Sequence, residues 1–344
     1  MSIQDSNILK DLVSTIIPVF NRPAMLTAAA DSVLAQSYRP IEIIIADDGS
    51  TDETPTVARR LVAEHPEIIR YFRHENAGPG PARELGRINA NGEFIQYLDS
   101  DDRLLPNKFT DQVAVLREHP ECDIAYGITR LVNSNGETLA DPFKWTAKQI
   151  PELFPGLLVD RWWCTHTPLY RRTLTDRIGP WTAMRWSQDW EYDSRAGAAN
   201  TKLISCRSHV SEHVHHDSDR QTSAGSTIWQ TDPIRLDNRH ELLTALWKAS
   251  LSAGVAANVP ERQHFARWCF SVARQQAAQG MKSQALSSLE IAIDSAGRGS
   301  GRRGIAPFRT AVHLLGPRNA AKLFSLVKPN TGNAGESTLE QSFS

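Results

Sequence analysis

Leu98-Asp99-Ser100-Asp101-Asp102 is the stretch that determines how the first half of this 344-residue chain folds. It follows Phe94-Ile95-Gln96-Tyr97, an apolar run that predicts a buried strand. Carboxylates are costly to bury unpaired, whereas hard cations such as Mg²⁺ and Mn²⁺ take oxygen ligands. The run therefore predicts a divalent metal site outside the carboxyl end of a strand, where open α/β sheets bind ligands. The alternative is a polar loop in which Asp102 caps the next helix.

Strand and helix patterns alternate on both sides of this run, which predicts a mostly parallel sheet with helices on both faces. Ser50 and Glu53 match a capping box, so a helix is expected to start at Ser50. From about residue 228 the pattern becomes helical, and the last residues, 329–344, have a composition typical of disorder. The predicted strands are 13–20, 41–46, 68–73, a strand at 94–97 and 123–132, and the predicted late helices are 235–256, 260–279, 283–296, 307–315 and 317–327.

Composition excludes several classes of protein. A formal net charge of -1 gives no electrostatic preference for nucleic acid. The four cysteines are widely spaced and form no Cys-x-x-Cys pair, so neither a zinc site nor a disulfide framework is expected. The N-terminus is polar without a signal-peptide core, and no apolar run approaches the ~20 residues that span a bilayer. These features predict a cytoplasmic protein, attached to a membrane at most peripherally.

Four motifs together resemble family 2 glycosyltransferases, inverting enzymes of the GT-A fold that use nucleotide sugars. Their order and spacing also match, and the resemblance covers roughly residues 13–220. The motifs are Pro18-Val19-Phe20-Asn21-Arg22, Ala46-Asp47-Asp48-Gly49-Ser50-Thr51-Asp52, Asn76-Ala77-Gly78-x-x-x-Ala82-Arg83 and Leu98-Asp99-Ser100-Asp101-Asp102.

The resemblance implies a GT-A catalytic domain over 1–225, with a nucleotide-binding half at 13–105 and an acceptor half at 106–225. A helical domain at 226–328 and the tail at 329–344 would follow it. Asp101 would bind Mn²⁺ or Mg²⁺, with His216 as a second metal or phosphate contact. The alternative for Asp48 is capping a helix, and for Arg83 a surface salt bridge. The residues implied to bind the nucleotide are Pro18, Phe20, Asn21, Arg22, Asp48, Arg83, Asp99 and Ser100.

Inversion requires a base that removes the proton from the acceptor hydroxyl. Ser187-Gln188-Asp189-Trp190-Glu191 resembles the family segment that carries this base, and Asp189 falls on its position. The family has Glu where Gln188 stands, and more often Tyr where Phe20 stands. Glu191 is the fallback base, and a helix N-cap is the structural alternative for Asp189. Residues expected along an acceptor groove, with core packing as the alternative for the tryptophans, are Trp163, His166, Trp186 and Glu191.

Residues 298–328 carry basic side chains and no acidic one. This pattern suits contact with an anionic membrane surface, and the alternative is two helices packed on the catalytic domain with solvated charges. The helical region could also form a homodimer interface.

The resemblance implies an inverting, metal-dependent glycosyltransferase that acts by single displacement in cell-surface polysaccharide synthesis. UDP-sugars are the usual donors of the family, and the expected acceptor is a glycan or a lipid-linked glycan. A sugar-phosphate nucleotidyltransferase is one alternative, although its Gly-rich loop is absent where Asn21-Arg22-Pro23-Ala24 stands. A non-catalytic binding or scaffold protein on a degenerate GT-A fold is the other.

Overall fold

The computed structural model describes residues 8–216, 231–297 and 304–326. They belong to two compact units. The first unit contains 8–153 and 162–216, and the second, here called the helical unit, contains 154–161 with the described residues from 231 onward. The expected domain boundary at 225 and the expected tail at 329–344 lie outside the described residues, so both stay predictions.

One sheet of nine strands organises the described part of the first unit. The strands are β1 (Leu9–Val19), β2 (Ile41–Asp47), β3 (Ile69–Arg73), β4 (Gly92–Tyr97), β5 (Arg103–Leu104), β6 (Ile124–Asn133), β7 (Thr138–Ala140), β8 (Leu169–Arg171) and β9 (Leu203–His215). Their order is β3-β2-β1-β4-β8-β6-β9-β5, and β7 pairs with β6.

The helices divide between the two units. Those of the first unit are α1 (Pro23–Leu34), α2 (Thr54–Glu64), α3 (Pro79–Ile88), α4 (Lys108–Glu118), α5 (Arg172–Ile178) and α6 (Gln188–Ala198). Those of the helical unit are α7 (Pro233–Ser252), α8 (Pro260–Ala278), α9 (Lys282–Ala296), α10 (Ile305–Leu315) and α11 (Pro317–Leu326).

The strands β3, β2, β1 and β4 run parallel, as the alternation of strands and helices predicts. Every residue of β2 is buried, which explains its continuous apolar run, since helices cover both faces of a parallel sheet. Val13 of β1 pairs with Ile41 of β2 and with Phe94 of β4. The carboxyl ends of these strands therefore share one edge of the sheet. Beyond β4 the sheet is mixed, because β8 runs antiparallel to both β4 and β6.

The start of α2 differs from its prediction. The helix begins at Thr54, not at Ser50. The Ser50 hydroxyl instead accepts a hydrogen bond from the backbone N–H of Asn21 (3.0 Å), and its own N–H donates to Asp47 Oδ1 (2.8 Å). The capping-box prediction was wrong because Ser50 lies in the turn after β2. There it forms a hydrogen bond with Asn21, which follows β1.

The helical unit contains the predicted hairpin, in which α8 and α9 pack against each other. Phe308 and Val312 of α10 are apolar residues of the 298–328 stretch that was predicted to contact a membrane, and both are fully buried. The Phe308 ring lies 5.0 Å from that of Phe324 and 5.7 Å from that of Phe270, measured between centroids. These side chains form core packing instead, which corrects that part of the membrane prediction. The basic residues Arg298, Arg302, Arg303 and Lys328 lie outside the described residues.

No helix in the described ranges combines the length and the apolar character needed to cross a bilayer.

Lys108 of α4 provides a test of the packing in the first unit. The side chain is completely buried, and burial lowers its pKa to about 7. Its Nζ donates to the backbone carbonyl of Thr167 (2.8 Å), which also accepts from Gln112 Nε2 (3.0 Å). In the unfolded chain the pKa of a lysine is about 10.4. Between these two values the unfolded state binds more protons, so the free energy of unfolding rises with pH.

We predict that the wild-type protein gains stability relative to Lys108→Met as the pH rises from about 7 to about 9. Methionine removes the titrating group, and Gln112 still donates to the Thr167 carbonyl. Urea unfolding of both proteins at both pH values measures the difference. Parallel pH dependences would show that Lys108 does not titrate in this range.

Candidate active site

The end of β1 meets the end of β2 at the shared edge. Pro18 is buried and pairs with Ala46, whereas the Phe20 ring is 42% exposed. Asn21 adopts a left-handed conformation (φ 53°), and its Oδ1 accepts a hydrogen bond from the backbone N–H of Thr51 (2.8 Å). Asn21 thus fixes the turn after β2 and leaves an aromatic ring exposed beside it.

Asp48 anchors the loop before α3. Its Oδ1 accepts a hydrogen bond from the N–H of Ala77 (2.8 Å), and its Oδ2 accepts one from that of Gly78 (2.9 Å). A Cβ on Gly49 (φ 77°) would lie 2.7 Å from the backbone nitrogen of Asn76, so glycine is required for this close approach. The alternative in which Asp48 caps a helix was wrong. The carboxylate that accepts a hydrogen bond from the Ser50 N–H is that of Asp47, and α2 begins only at Thr54.

Arg83 is buried in α3 and forms an ion pair with Asp99 (Nη2 to Oδ1, 2.5 Å). Its guanidinium lies 4.8 Å from the centroid of the Trp181 ring. The surface salt bridge that was the alternative reading is therefore an interior one. Nε and Nη1 of Arg83 are buried and have no hydrogen-bond partner among the described residues.

Asp101 is the carboxylate of the acidic run that most needs a cation. Burial raises its pKa, and the neighbouring Asp102 and Asp99 raise it further. Arg22, from the loop after β1, forms an ion pair with Asp101 and lowers that pKa. Oxygen ligands near other carboxylates fit Mg²⁺ or Mn²⁺, so Asp101 has the environment expected of a metal ligand.

Asp102 is not a helix cap, since α4 begins only at Lys108. Its Oδ1 accepts a hydrogen bond from the N–H of Val214 (2.9 Å). Nδ1 of His166 lies 2.7 Å from Oδ2, and Nδ1 of His213 lies 3.0 Å from Oδ1. His166 is fully buried, which corrects its assignment to an acceptor groove. The only sequence signal for this group was the histidine-rich stretch that becomes the end of β9.

Charge coupling within this group shifts two pKa values. Burial alone would raise the pKa of Asp102, but the imidazoles of His166 and His213 hold it well below its ordinary value. Burial opposes the charged form of His213, but the carboxylate of Asp102 outweighs it and raises the pKa of His213 to about 9.

Asp189 lies in the first turn of α6 and is half-buried. The N-cap residue is Ser187 (φ 58°), so the N-cap alternative for Asp189 was wrong. Thr165 Oγ1 donates to Asp189 Oδ2 (3.3 Å), and the backbone N–H of Trp190 donates to Oδ1 (2.9 Å). A carboxylate at a helix N-terminus is stabilised by the helix dipole.

Two residues assigned to the acceptor groove are structural. Glu191 is buried and accepts from two guanidinium nitrogens of Arg195 (2.8 and 3.0 Å), so its charge is already paired. Trp163 is completely buried, and its Nε1 donates to Asp193 Oδ2 (2.8 Å). A buried indole with its N–H paired packs the core and cannot line a groove, which corrects both assignments.

Three further residues of the predicted site are Ser100, Trp186 and His216. Ser100 is buried within the acidic run. Trp186 is half-buried, with the Arg185 guanidinium 5.0 Å from its ring centroid. His216 is half-buried and directly follows β9.

Residues 14–179 match the profile of the family described as "Glycosyl transferase family 2". These residues form a family 2 glycosyltransferase domain.

Relatives of this domain share part of their length with the chain. An uncharacterized glycosyltransferase, RC0461 of Rickettsia conorii, is 41% identical over 134 residues, which are 39% of this chain and 22% of that protein. The GalNAc(5)-diNAcBac-PP-undecaprenol beta-1,3-glucosyltransferase of Campylobacter jejuni is 39% identical over 95 residues, 27% of this chain and 30% of that protein. The family 2 domain is therefore shared with proteins of which this chain matches only a fraction.

Solved structures confirm the GT-A fold. S. aureus TarS 1-349 in complex with UDP-GlcNAc has a TM-score of 0.62 to this chain at 16% identity, covering 94% of both chains. The mannosyltransferase PcManGT from Pyrobaculum calidifontis, in complex with GDP-Man and Mn²⁺, has a TM-score of 0.52 at 16% identity, covering 92% of this chain and 88% of that one.

The Arg83–Asp99 pair yields a stability prediction. Arg83→Met keeps most of the side-chain volume but leaves Asp99, about one-third exposed, without its cation. We expect a loss of about 2–3 kcal/mol, somewhat less than the removal of one partner from a fully buried pair.

The matched control is Arg60→Met, which breaks the exposed pair with Glu64 (3.8 Å). That change should cost less than about 0.5 kcal/mol. Urea unfolding followed by tryptophan fluorescence compares the two. Equal losses would mean that the Arg83–Asp99 pair contributes no more than a surface contact.

Proposed function

We propose that this protein is an inverting glycosyltransferase that moves a sugar from a nucleoside-diphosphate sugar, foremost a UDP-sugar, to a hydroxyl of a glycan or lipid-linked glycan. One observation carries the proposal. The sheet edge that holds Asp48, Asp99 and Asp101 belongs to the same unit as a half-buried carboxylate, Asp189, at a helix start. The role in cell-surface polysaccharide synthesis rests on the kind of acceptor named for the Campylobacter jejuni relative.

The donor nucleotide would bind at the ends of β1, β2 and β4. The exposed ring of Phe20 offers a stacking surface for the base, and Asp48 offers a carboxylate already fixed in position by two backbone N–H groups. Asp99, held by Arg83, would face the ribose. The unpartnered Nε and Nη1 of Arg83 suit the phosphates, since a guanidinium recognises phosphate oxygens in a planar, paired geometry. TarS in complex with UDP-GlcNAc, a structure of the same fold, supports a UDP-sugar as donor.

Asp101 and His216 are the residues that would hold Mn²⁺ or Mg²⁺. The raised pKa of Asp101 means that its anionic form gains from added positive charge, which Arg22 alone supplies in part. When bound, the metal would neutralise the negative charge of the departing diphosphate. The Mn²⁺ named in the PcManGT structure supports this use of a divalent ion.

Asp189 would act as the base that removes the proton of the acceptor hydroxyl. It is half-buried in the first turn of α6, and Thr165 donates a hydrogen bond to its Oδ2 (3.3 Å). Glu191 is less suited, because Arg195 forms two hydrogen bonds with its buried carboxylate. Of the two acids in the first turn of α6, Asp189 would therefore act in the reaction, whereas Glu191 would have a structural role.

We predict that Asp189→Asn lowers the rate of UDP release from UDP-GlcNAc or UDP-glucose by about 10²–10⁴-fold, the usual contribution of a general base. Water serves as the acceptor in this assay and also requires deprotonation. Affinity for UDP should remain within a few-fold of wild type, because the base acts only in the chemical step.

The matched control is Glu191→Gln, in which the amide oxygen keeps a contact with Arg195 and the release rate should fall far less. An Asp189→Asn protein with normal turnover would remove Asp189 as the base. A larger loss in Glu191→Gln would transfer the role to Glu191. No release by the wild type from UDP-, dTDP- or GDP-sugars would contradict the donor class.

A further inference from the structure

Three side chains of the kinds that bind transition metals converge in the first unit. Cys164 and His166 lie in the segment before β8, and His213 lies near the end of β9. One ligand atom from each, the Cys164 sulfur and one nitrogen of each imidazole, lies within 4.8 Å of the others. Neither Asp101 nor His216, the proposed donor-site ligands, belongs to this cluster. The spacing of cysteines and histidines does not predict this combination, because His213 comes from a strand that is distant in sequence.

Asp102 faces both imidazoles through their Nδ1 atoms, at 2.7 Å for His166 and 3.0 Å for His213. This leaves Nε2 of each ring for another partner. In metal sites, a carboxylate commonly holds a ligating histidine through its second ring nitrogen. Nε2 of His166 is completely buried and has no hydrogen-bond partner in the part of the chain that the structure describes.

A buried imidazole nitrogen without a partner is costly, and a metal ion would remove that cost. A thiolate with two imidazoles is a donor set for Zn²⁺ and similar ions, whereas Mg²⁺ and Mn²⁺ prefer oxygen. In a tetrahedral zinc site, bond lengths of about 2.1 Å to nitrogen and about 2.3 Å to sulfur place the ligand atoms about 3.5 Å apart. The three ligand atoms, which lie within 4.8 Å of one another, would therefore have to move closer together when the ion binds.

We propose that Cys164, His166 and His213 form a binding site for a transition-metal ion of the zinc class, with Asp102 orienting both imidazoles. The site differs from the oxygen-rich donor site at Asp101 in its ligands. Three protein ligands leave the fourth position to water or another group. The ion fixes the segment that carries Thr165, whose hydroxyl donates to Asp189, and ties it to the end of β9. Only this last role depends on the proposed function.

The test replaces zinc with Co²⁺, whose visible spectrum reports its ligands. The purified full-length chain, stripped with a chelator, should bind one equivalent of Co²⁺ with a thiolate charge-transfer band and the intense visible bands of a tetrahedral site. Cys164→Ser should abolish the charge-transfer band. Cys206→Ser, a matched cysteine of β9 outside the cluster, and Asp101→Asn should both retain it.

Affinity provides a second readout. Zn²⁺ displaces the cobalt, and the competition gives its dissociation constant. Asp102→Asn should weaken zinc binding by about 10–100-fold, the usual effect of removing a residue that orients a metal-bound histidine. Retention of the charge-transfer band in that variant would show that the fold and the thiolate ligand remain.

A wild-type protein that binds Co²⁺ without a charge-transfer band would overturn the proposal, as would a band that Cys164→Ser does not change. If circular dichroism shows that Cys164→Ser does not fold, the variant His213→Gln tests the proposal instead. His213 is partly exposed, so this substitution disturbs the core less. It should keep the thiolate band but weaken Zn²⁺ binding at least tenfold, and unchanged affinity would overturn the site. Because no readout uses donor or acceptor, these results do not depend on whether the proposed transferase activity is found.

Discussion

The acidic run after β4 is stable because each of its carboxylates meets a positive group from a different part of the chain. Asp99 pairs with Arg83 of α3, Asp101 pairs with Arg22 from the loop after β1, and Asp102 lies between two imidazoles from the β8 and β9 regions. Removing a partner from a buried charge costs more than breaking an exposed pair, so the buried contacts of Asp102 and Arg83 constrain most where their elements can lie. These ion pairs hold the sheet edge together.

This arrangement separates the carboxylates by role. Asp102 is fully paired and ionised, and Asp99 is held in place by a buried guanidinium. Asp101 keeps a raised pKa in spite of Arg22, which makes it the member that gains most from a divalent cation. Asp189 belongs to another element, α6, and hydrogen bonds from Thr165 and from the adjacent backbone N–H help to position it.

The sequence was sufficient to predict the parallel half of the sheet and the edge at which the motif residues converge. Strands buried on both faces appear as continuous apolar runs, and parallel strands end on the same side, so the residues after β1, β2 and β4 had to converge. Pairings between distant segments could not be predicted in this way. Asp102 with His166, and Trp163 with Asp193, have no characteristic spacing, because tertiary packing alone brings them together. From the sequence alone, Trp163 was therefore as compatible with contact to a sugar as with burial in the core.

The central claim is that the edge formed by β1, β2 and β4 is a metal-dependent site for a nucleoside diphosphate. Calorimetric titration of the protein with UDP, with and without Mn²⁺, tests it most directly, and Asp101→Ala serves as the paired variant. The account predicts heat of binding for the wild type that requires Mn²⁺ and is lost in Asp101→Ala. Binding that is equal without the metal, or no binding of UDP, dTDP or GDP under either condition, would contradict it.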